Sequence, residues 1–364
     1  MEGHAAVTGR ADLTTAHHDS HATIGPVADH PRHRRDAGEE LPATEGATRA
    51  SGGGDRAEAE EPDPFRTCFE RDRDRILHAT AFRRLAGKTQ VFVFPEDHQR
   101  SRLTHALEVA QVARAIATRL GLNVPLAEAI ALGHDCGHGP GGHASEDALS
   151  PYVDGGYDHA QWGADVTLAP LNLCTETLDG IRNHSWSRPA PSTPEGEVVS
   201  WADRIAYVCH DFEDAAYTGI VDPADLPALV LERCGATRRE QLAAFIDAVV
   251  SASVRTGRIG MDADVADALA AFRTFDYERI YLRPASVNQA DRVLDLLRAL
   301  VDHYLAHPDD LPADDDPVDV AGSDGAVLAA VRYVGGMTDR FACRAGIRLL
   351  GLDADRLPTG LDVT

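Results

Sequence analysis

Apolar residues recur at helical spacing along most of the chain, and this periodicity is the feature that most restricts its fold. Apolar side chains three and four positions apart form a stripe on an α-helix, whereas a half-buried strand would need alternation. Between residues 103 and 120 one such stripe consists of Leu103, Leu107, Ala110, Ala113, Ala117 and Leu120. Further helices are predicted near 68–87, 125–134, 143–149, 158–169, 174–184, 197–217, 238–252, 262–282, 285–306 and 325–350. The sequence therefore predicts an all-α protein with one short β-like run at 90–94.

Composition divides the chain into three segments. Residues 1–63 are rich in Gly, Ala, Asp, Glu and His and poor in large apolar residues, which predicts a disordered acidic tail. Residues 64–220 are expected to form the main helical bundle. Residues 221–364 are expected to form a C-terminal helical region that packs on this bundle, with an acidic Pro- and Asp-rich loop at 308–324.

Charge and composition exclude several classes of protein. A formal net charge of −23 opposes strong binding to duplex nucleic acid, because neutralising phosphates requires a basic surface. The sequence contains no run of about 18 apolar residues that could span a membrane. The N-terminus lacks the pattern of a secretory signal. The six cysteines are scattered, which is typical of reduced thiols. We therefore expect a cytoplasmic protein with no membrane partner.

A His-Asp pair at the end of an apolar helix is the first candidate for chemistry. His134 and Asp135 precede the glycine-rich segment 137–142, where the chain turns and both side chains could reach one cation. Mixed nitrogen and oxygen ligation suits Mn²⁺, Fe²⁺, Co²⁺, Ni²⁺ or Zn²⁺, and Mg²⁺ if water completes the coordination. His105 and Asp203, on two other predicted helices, are candidates for the remaining ligands. The pair alone is a weak signal, because His-Asp dipeptides are common.

Asp203, Tyr207 and Asp211 share one helical face, because they follow one another at intervals of four residues. Such a face is either a solvated flank or the wall of a polar site, and the apolar neighbours of Tyr207 favour the wall. Arginines are also concentrated between residues 65 and 105. This local excess suits a small anionic ligand, although most of these arginines could simply pair with acidic neighbours on a solvated helix.

The motifs around these residues resemble those of HD-domain deoxynucleoside triphosphate triphosphohydrolases, the dGTPase-like family. The resemblance rests on the order His105, His134-Asp135, Asp203 and on the segments Arg71–His78, Phe82–Phe92, Ser101–His105, His134–His143, Thr177–His184 and Ala202–Tyr207. It runs from about Arg71 to Asp214, with a fainter echo at Tyr277–Tyr281. It implies that the predicted bundle is an HD domain.

The resemblance also implies an activity and its catalytic groups. Relatives hydrolyse deoxynucleoside triphosphates to a deoxynucleoside and tripolyphosphate, through attack of a metal-activated water on the α-phosphate. His143 matches the histidine that gives a proton to the leaving alkoxide. Glu146 matches the carboxylate that orients this histidine, and His159 a second histidine near the phosphates. One divalent metal, with Mn or Mg favoured, would be held by His105, His134, Asp135 and Asp203.

Six further positions are implied as contacts with a deoxynucleoside triphosphate substrate. Arg102 would contact the α-phosphate, and Arg204 and Lys88 would hold the outer phosphates. The deoxyribose would be contacted by Gln90, Tyr207 and Asp211. A carboxylate that accepts from the 3′-hydroxyl in a site without room for a 2′-hydroxyl would select deoxyribose. A homo-oligomer is implied by the resemblance alone.

Two departures from the family pattern leave the preferred base open. Gly141 stands where relatives have a bulky aromatic residue, and Tyr157-Asp158-His159-Ala160 replaces the usual Phe-Glu-His-Asn. Two alternative functions also remain: an HD phosphohydrolase acting on another nucleotide phosphoester, such as a nucleoside monophosphate or an alarmone, and a catalytically quiet nucleotide-binding module. His138 and His184 could hold a second metal or have a structural role.

Overall fold

The computed structural model describes residues 5–6, 14–15, 44–51, 54–95, 98–312 and 321–360. Across these residues the fold is helical, and the predicted all-α class is confirmed. The described residues also include one isolated pair of two-residue antiparallel strands, β1 (Ala5–Ala6) and β2 (Thr14–Thr15). None of the described helices is long and apolar enough to cross a membrane.

Fourteen α-helices lie within the described residues. The first eight are α1 (Cys68–His78), α2 (Thr80–Arg84), α3 (Arg102–Leu120), α4 (Val124–Gly133), α5 (Ala144–Leu149), α6 (His159–Trp162), α7 (Thr175–Asn183) and α8 (Pro194–Tyr217). The remaining six are α9 (Ala228–Cys234), α10 (Arg238–Thr256), α11 (Ala263–Asp276), α12 (Pro284–Ala306), α13 (Asp324–Gly335) and α14 (Asp339–Leu350). Single π-helical turns follow α6 at Gly163–Thr167 and α11 at Tyr277–Tyr281.

Local sequence explains where the central helices begin and end. The Asn123 side chain accepts a hydrogen bond from the Leu126 backbone N–H at the start of α4, and Thr193 does the same for Gly196 at the start of α8. Helix α3 ends at Gly121, which has a φ of 65° and so adopts the left-handed conformation that a side chain disfavours. These boundaries fix the ends of the three helices that carry the candidate ligands.

The helices enclose two hydrophobic cores. The larger one surrounds α3, α4 and α8 and also contains fully buried residues of α10 and α11, such as Phe245 and Phe272. The smaller one lies between α12, α13 and α14 and includes Leu149 of α5 and Leu357. The helices after residue 220 therefore pack on the bundle. Those up to Ile280 contribute to the larger core, whereas α12, α13 and α14 contribute to the smaller core.

Two sequence predictions need correction. Residues 91–94 form bends rather than a strand, and the isolated bridge between Thr89 and Ser101 is the only β-pairing described near them. Phe94 has a φ of 55°, which interrupts an extended chain. The segment 90–94 therefore lacks the pairing partner that a strand requires.

The predicted tail also extends too far along the chain. Residues 44–51 and 54–63 are described, and they contact the bundle. The Thr48 hydroxyl donates to Glu195 Oε2 at 2.6 Å, and the Arg56 guanidinium pairs with buried Asp72 at 2.7 Å. Apart from β1 and β2, the rest of the predicted tail lies outside the described residues, as do residues 313–320 of the predicted acidic loop.

Candidate metal centre and active site

Four side chains from three helical regions converge at the centre of the bundle. His134 and Asp135 directly follow α4, His105 lies in the first turn of α3, and Asp203 lies in the middle of α8. His105 Nε2 lies 3.1 Å from Asp203 Oδ1 and 3.8 Å from Asp135 Oδ2. His134 Nε2 lies 3.4 Å from Asp135 Oδ1 and 3.7 Å from Asp203 Oδ1. The structure thus brings together the four residues that the sequence singled out, and we call them the ligand cluster.

The donor atoms of the ligand cluster fit a divalent cation. His134 Nδ1 lies 2.6 Å from the carbonyl oxygen of Ala131, and because a carbonyl can only accept, Nδ1 carries the proton. Nε2 therefore points into the cluster, where it is buried and has no hydrogen-bond partner. A divalent cation would displace the proton that this nitrogen otherwise takes up, since an imidazole beside two carboxylates is the arrangement expected of a metal ligand.

The electrostatics of the ligand cluster favour positive charge at its centre. Burial alone would raise the pKa of Asp135, but Arg102 and the surrounding histidines outweigh it and hold the pKa well below the usual range. His105 and His134 act in the same way on the pKa of Asp203. Burial lowers the pKa of His134, but the two carboxylates outweigh it and raise this pKa to about 9. Two ionised carboxylates thus remain in a buried site that attracts a cation.

Arg102 is held inside the same site. Its Nη1 donates to Asp135 Oδ2 at 2.7 Å, and the residue is 2% exposed. Its Nε has no hydrogen-bond partner although it is buried. Arg102 therefore pairs with one member of the ligand cluster and keeps a donor unused.

A second group of side chains, which we call the histidine dyad, joins His143 and His159 through Glu146. His143 Nδ1 lies 3.0 Å from Glu146 Oε2, and His159 Nδ1 lies 2.7 Å from Glu146 Oε1. Burial would raise the pKa of Glu146, but the two histidines hold it well below its usual range. His159 Nε2 lies 3.8 Å from Asp135 Oδ1. The contact between His143 and Glu146 agrees with their spacing of three residues, and the dyad borders the ligand cluster through His159.

Two further histidines line this region. The His138 ring stacks on that of His159 with 3.7 Å between centroids, and its Nε2 lies 3.3 Å from Asp135 Oδ1. His184 Nε2 lies 3.2 Å from His159 Nε2. Burial lowers the pKa of both, that of His184 to about 4. Both rings are therefore neutral and lie within reach of the same cluster.

A cavity of about 690 Å³ opens from the ligand cluster and the dyad. Its walls include most of the predicted site residues: Gln90, Arg102, His105, Asp135, His143, His159, Asp203, Arg204, Tyr207 and Asp211. Four of them that lie outside the ligand cluster carry a buried polar atom without a hydrogen-bond partner, namely Gln90 Oε1, Arg102 Nε, Arg204 Nε and Asp211 Oδ1. Because buried polar groups are normally paired, these atoms indicate a polar ligand.

Lys88 does not reach the cavity, so its predicted contact with the outer phosphates is wrong. It is 3% exposed, and its Nζ donates to the carbonyl oxygens of His138 and Gly335. Burial lowers its pKa to about 8. The resemblance implied a phosphate contact, but the chain turns after Gly87 and buries the ammonium group beneath the glycine-rich turn. Lys88 therefore fastens that turn to α13.

Sequence reasoning missed three cavity residues that hold the predicted ones in place. The Tyr281 hydroxyl donates to Asp211 Oδ2 at 2.6 Å, and Arg273 Nε donates to the Tyr207 hydroxyl at 3.0 Å. The Arg204 guanidinium lies 3.5 Å above the ring of Trp186. The faint motif at Tyr277–Tyr281 was the only sequence signal for this group.

The glycine-rich segment 137–142 permits the close approach of its neighbours. A β-carbon on Gly137 would lie 2.0 Å from the carbonyl oxygen of His159, so no side chain fits there. Gly141 has a φ of +73°, and a β-carbon on it would lie 2.4 Å from Val293. Val293 of α12 thus occupies space beside the position at which relatives have an aromatic residue.

Comparison with known proteins agrees with this site. Residues 102–208 match the HD domain, which spans all four cluster residues, and residues 259–346 match the phosphohydrolase-associated domain. A "deoxyguanosinetriphosphate triphosphohydrolase-like protein" of Caldanaerobacter subterraneus subsp. tengcongensis is 40% identical over 294 residues, covering 79% of this chain and 86% of the relative. One of the same description from Clostridium perfringens (strain 13 / Type A) is 38% identical over 302 residues, covering 79% and 87%.

A solved structure, described as a hypothetical protein from Aquifex aeolicus, superposes with a TM-score of 0.48 at 16% identity, covering 78% of this chain and 68% of that one.

The fold and the site define an HD-domain phosphohydrolase. The extent and level of sequence identity place the chain more narrowly: it belongs to the deoxyguanosinetriphosphate triphosphohydrolase-like family.

Proposed function

We propose that the protein hydrolyses deoxynucleoside triphosphates to a deoxynucleoside and tripolyphosphate. The observation that carries this proposal is the cavity in which the ligand cluster, the histidine dyad and four unpaired polar atoms meet. Its volume of about 690 Å³ is in the range of small-molecule sites. The names of the relatives, deoxyguanosinetriphosphate triphosphohydrolase-like proteins, support a nucleoside triphosphate as the substrate.

In this mechanism the ligand cluster provides two imidazole nitrogens and two carboxylates for one divalent metal, for which we favour Mn²⁺ or Mg²⁺. When bound, such a metal supplies a Lewis acid that polarises the α-phosphate and lowers the pKa of a water molecule. Arg102 lines the cavity and has an unused donor at Nε, so its guanidinium is the group that would contact an α-phosphate oxygen. Its fixed pairing with Asp135 keeps the guanidinium in position for that contact.

His143 supplies the proton that the departing 5′-oxygen needs. Glu146 engages Nδ1 of the ring, which orients the imidazole and leaves Nε2 to donate. His159 is held by the other oxygen of Glu146 and lies closer to Asp135, where it can contact the phosphates.

The remaining cavity residues bind the rest of the nucleotide. Arg204 binds the outer phosphates, and its stacking on Trp186 limits its movement. Gln90, Tyr207 and Asp211 contact the deoxyribose. Because Tyr281 engages one oxygen of Asp211, the unpaired Oδ1 is available to accept a hydrogen bond from the 3′-hydroxyl. This arrangement selects deoxyribose if the enclosed sugar leaves no space for a 2′-hydroxyl.

The identity of the released phosphate tests the proposal. The protein is incubated with Mn²⁺ or Mg²⁺ and each deoxynucleoside triphosphate, and the products are separated by anion exchange. Tripolyphosphate with an equimolar deoxynucleoside is the expected result. Orthophosphate released from a nucleoside monophosphate would favour a different phosphoester substrate, and binding without turnover would favour a nucleotide-binding module. His303→Ala, which alters an imidazole paired with Asp310 outside the cavity, is the matched control for histidine variants.

We also propose, from family resemblance, that the protein acts in the cytoplasm as a homo-oligomer. Light scattering coupled to gel filtration tests the oligomeric state. A monomer at the concentration used for the activity assay would contradict that part of the proposal without affecting the chemistry.

A further inference from the structure

The segment Leu357–Gly360 lies along one wall of the cavity. Thr359 and Gly360 both line it, together with Gln289, Arg292 and Val293 from the first half of α12. Leu357 is 6% exposed and belongs to the smaller hydrophobic core, so the segment is anchored at its start. It is therefore a fixed part of the wall.

Hydrogen bonds hold this segment against α12. The Gln289 side chain makes two of them with Thr359: its Nε2 donates to the hydroxyl at 3.1 Å, and its Oε1 accepts from the backbone N–H at 2.9 Å. Arg292 Nη1 donates to the carbonyl oxygen of Leu357 at 3.0 Å. The two side chains lie about one helical turn apart, so they bind the segment at successive points.

The other side of the segment touches the chain between Gln90 and Phe94. A β-carbon on Gly360, whose φ is +84°, would lie 3.0 Å from the backbone oxygen of Val93. The segment thus closes the cavity between α12 and the irregular residues that follow Gln90. Any side chain at position 360 would push it away from one of these neighbours.

This wall differs in chemistry from the rest of the cavity. The ligand cluster, the dyad, Arg204 and Asp211 make the other walls strongly charged. Beside the segment the lining includes the apolar or neutral residues Val93, Val293, Gln289 and Thr359, and the charge of Arg292 is engaged by the carbonyl oxygen of Leu357. A nucleobase is the neutral, flat part of a nucleotide, and it suits an apolar wall bearing a few hydrogen-bonding groups.

We propose that Leu357–Gly360, held by Gln289 and Arg292, forms a wall of the nucleobase subsite and contributes to the choice among deoxynucleoside triphosphates. The inference rests on the proposed function. The segment lies outside the residues that match the HD domain, 102–208, and the phosphohydrolase-associated domain, 259–346. The proposed base-selecting wall therefore includes a part of the chain that neither domain covers.

Two shortened chains test this wall. A chain ending at Pro358 removes Thr359 and Gly360 but keeps Leu357 in its core, and a chain ending at Gly360 is the matched control. Gln289→Ala in the full chain is an independent variant that breaks the same contact without shortening the protein. Each protein is given an equimolar mixture of the four deoxynucleoside triphosphates, and the deoxynucleosides released are quantified. Inhibition by inorganic tripolyphosphate is measured in parallel.

The chain ending at Pro358 and Gln289→Ala are both expected to change the ratio of kcat/KM between the four substrates by about 10-fold, because one lost contact in a pocket has an effect of this order. Inhibition by tripolyphosphate should stay within about twofold of the control, since it has no base. Unchanged ratios in an active Gln289→Ala protein would overturn the inference and leave the proposed function intact. Failure of the full chain to hydrolyse any of the four would overturn both.

Discussion

The ligand cluster and the histidine dyad are close neighbours, but they are held in different ways. His105, His134 and Asp135 are at most 3% exposed, and the core packing of α3, α4 and α8 positions them. The His143 side chain is 73% exposed and follows the glycine-rich turn, where its ring contacts the carboxylate of Glu146. The proposed metal position is therefore fixed by the fold as a whole, whereas the proposed proton donor depends on one carboxylate.

This difference implies that metal binding and proton transfer can be separated by mutation. Damage to the cluster should affect the metal, the activity and the fold together, because it leaves a charge or a polar atom unpaired in the core. Damage to the dyad should affect the turnover alone. The variants below test this separation, from the largest expected effect to the smallest.

Asp135→Asn should remove both the metal and the activity. The change keeps the size of the side chain but removes a charge that faces His134 and pairs with Arg102. We expect a loss of about 10³-fold or more in kcat/KM, because metal chemistry contributes several kcal/mol to such reactions. Metal content by mass spectrometry and turnover are measured together. Asp165→Asn, at an exposed ion pair with Arg182, is the control. Full metal content in Asp135→Asn would contradict the assignment.

His143→Ala should retain the metal and lose turnover by about 10² to 10⁴-fold, the range for removal of a general acid. The loss should fall mainly on kcat, because the exposed ring contributes little to the core. A substrate whose leaving group needs no proton, such as an aryl tripolyphosphate in which an aryloxide takes the place of the 5′-alkoxide, should lose less. An equal loss for both substrates would argue against His143 as the acid, and His303→Ala serves as the control.

Glu146→Gln should lower kcat by about 10 to 100-fold, the usual effect of removing a group that orients a reacting one. The amide keeps the shape but weakens the contacts with His143 and His159. If Glu146 acts through His143, the double variant His143→Ala/Glu146→Gln should be little worse than His143→Ala alone. Multiplied losses in the double variant would show that Glu146 has a role of its own.

Asp211 should give substrate binding a pH dependence near neutrality. Burial raises its pKa to about 7, although Tyr281 opposes the rise. Above that pH the carboxylate accepts from the 3′-hydroxyl, so the KM for a deoxynucleoside triphosphate should fall by about 10-fold between pH 6 and pH 8. A 2′,3′-dideoxynucleoside triphosphate lacks this hydroxyl and should show a flatter profile. Identical profiles for the two substrates would exclude Asp211 as the contact.

The same raised pKa has an opposite consequence for stability. The folded protein binds a proton at Asp211 more tightly than the unfolded chain does, so between about pH 4 and pH 7 the unfolded state carries fewer protons there. The contribution of Asp211 to the free energy of unfolding should therefore fall as pH rises through this window. Comparing Asp211→Asn with the unmodified protein in urea titrations at pH 5 and pH 8 isolates this contribution.

Short-range sequence patterns were enough to predict most of the helices, and the order of the motifs was enough to propose the ligand cluster. The stripe from Leu103 to Leu120 and the caps at Asn123 and Thr193 are local features, so α3, α4 and α8 lie close to their predicted positions. His105, His134 and Asp203 could be chosen because each lies within a recognisable motif on one of these helices or at its end. Their convergence depended on the packing of three helices, which the order of the motifs implied.

Features that depend on distant contacts were not predictable in this way. Lys88 lies beside Gln90 in sequence, yet backbone carbonyls from two other segments capture its ammonium group. Tyr281 reaches Asp211 because a π-helical turn ends α11, and nothing in the local periodicity signals such a turn. Helix α9 was missed as well, since its seven residues are too few to show a clear stripe.

The contact between Thr48 and Glu195 has a practical consequence for anyone preparing this protein. Glu195 is fully buried at the start of α8, and Thr48 supplies it with two hydrogen bonds, from the hydroxyl and from the backbone N–H. A protein shortened to begin at Phe65 would keep every residue of the site but would remove these two hydrogen bonds from a buried carboxylate and leave it the one from the Asn123 backbone N–H. Poor yield or low activity of such a preparation would then result from the lost contacts of Glu195 at the start of α8, and not from a defect in the catalytic groups.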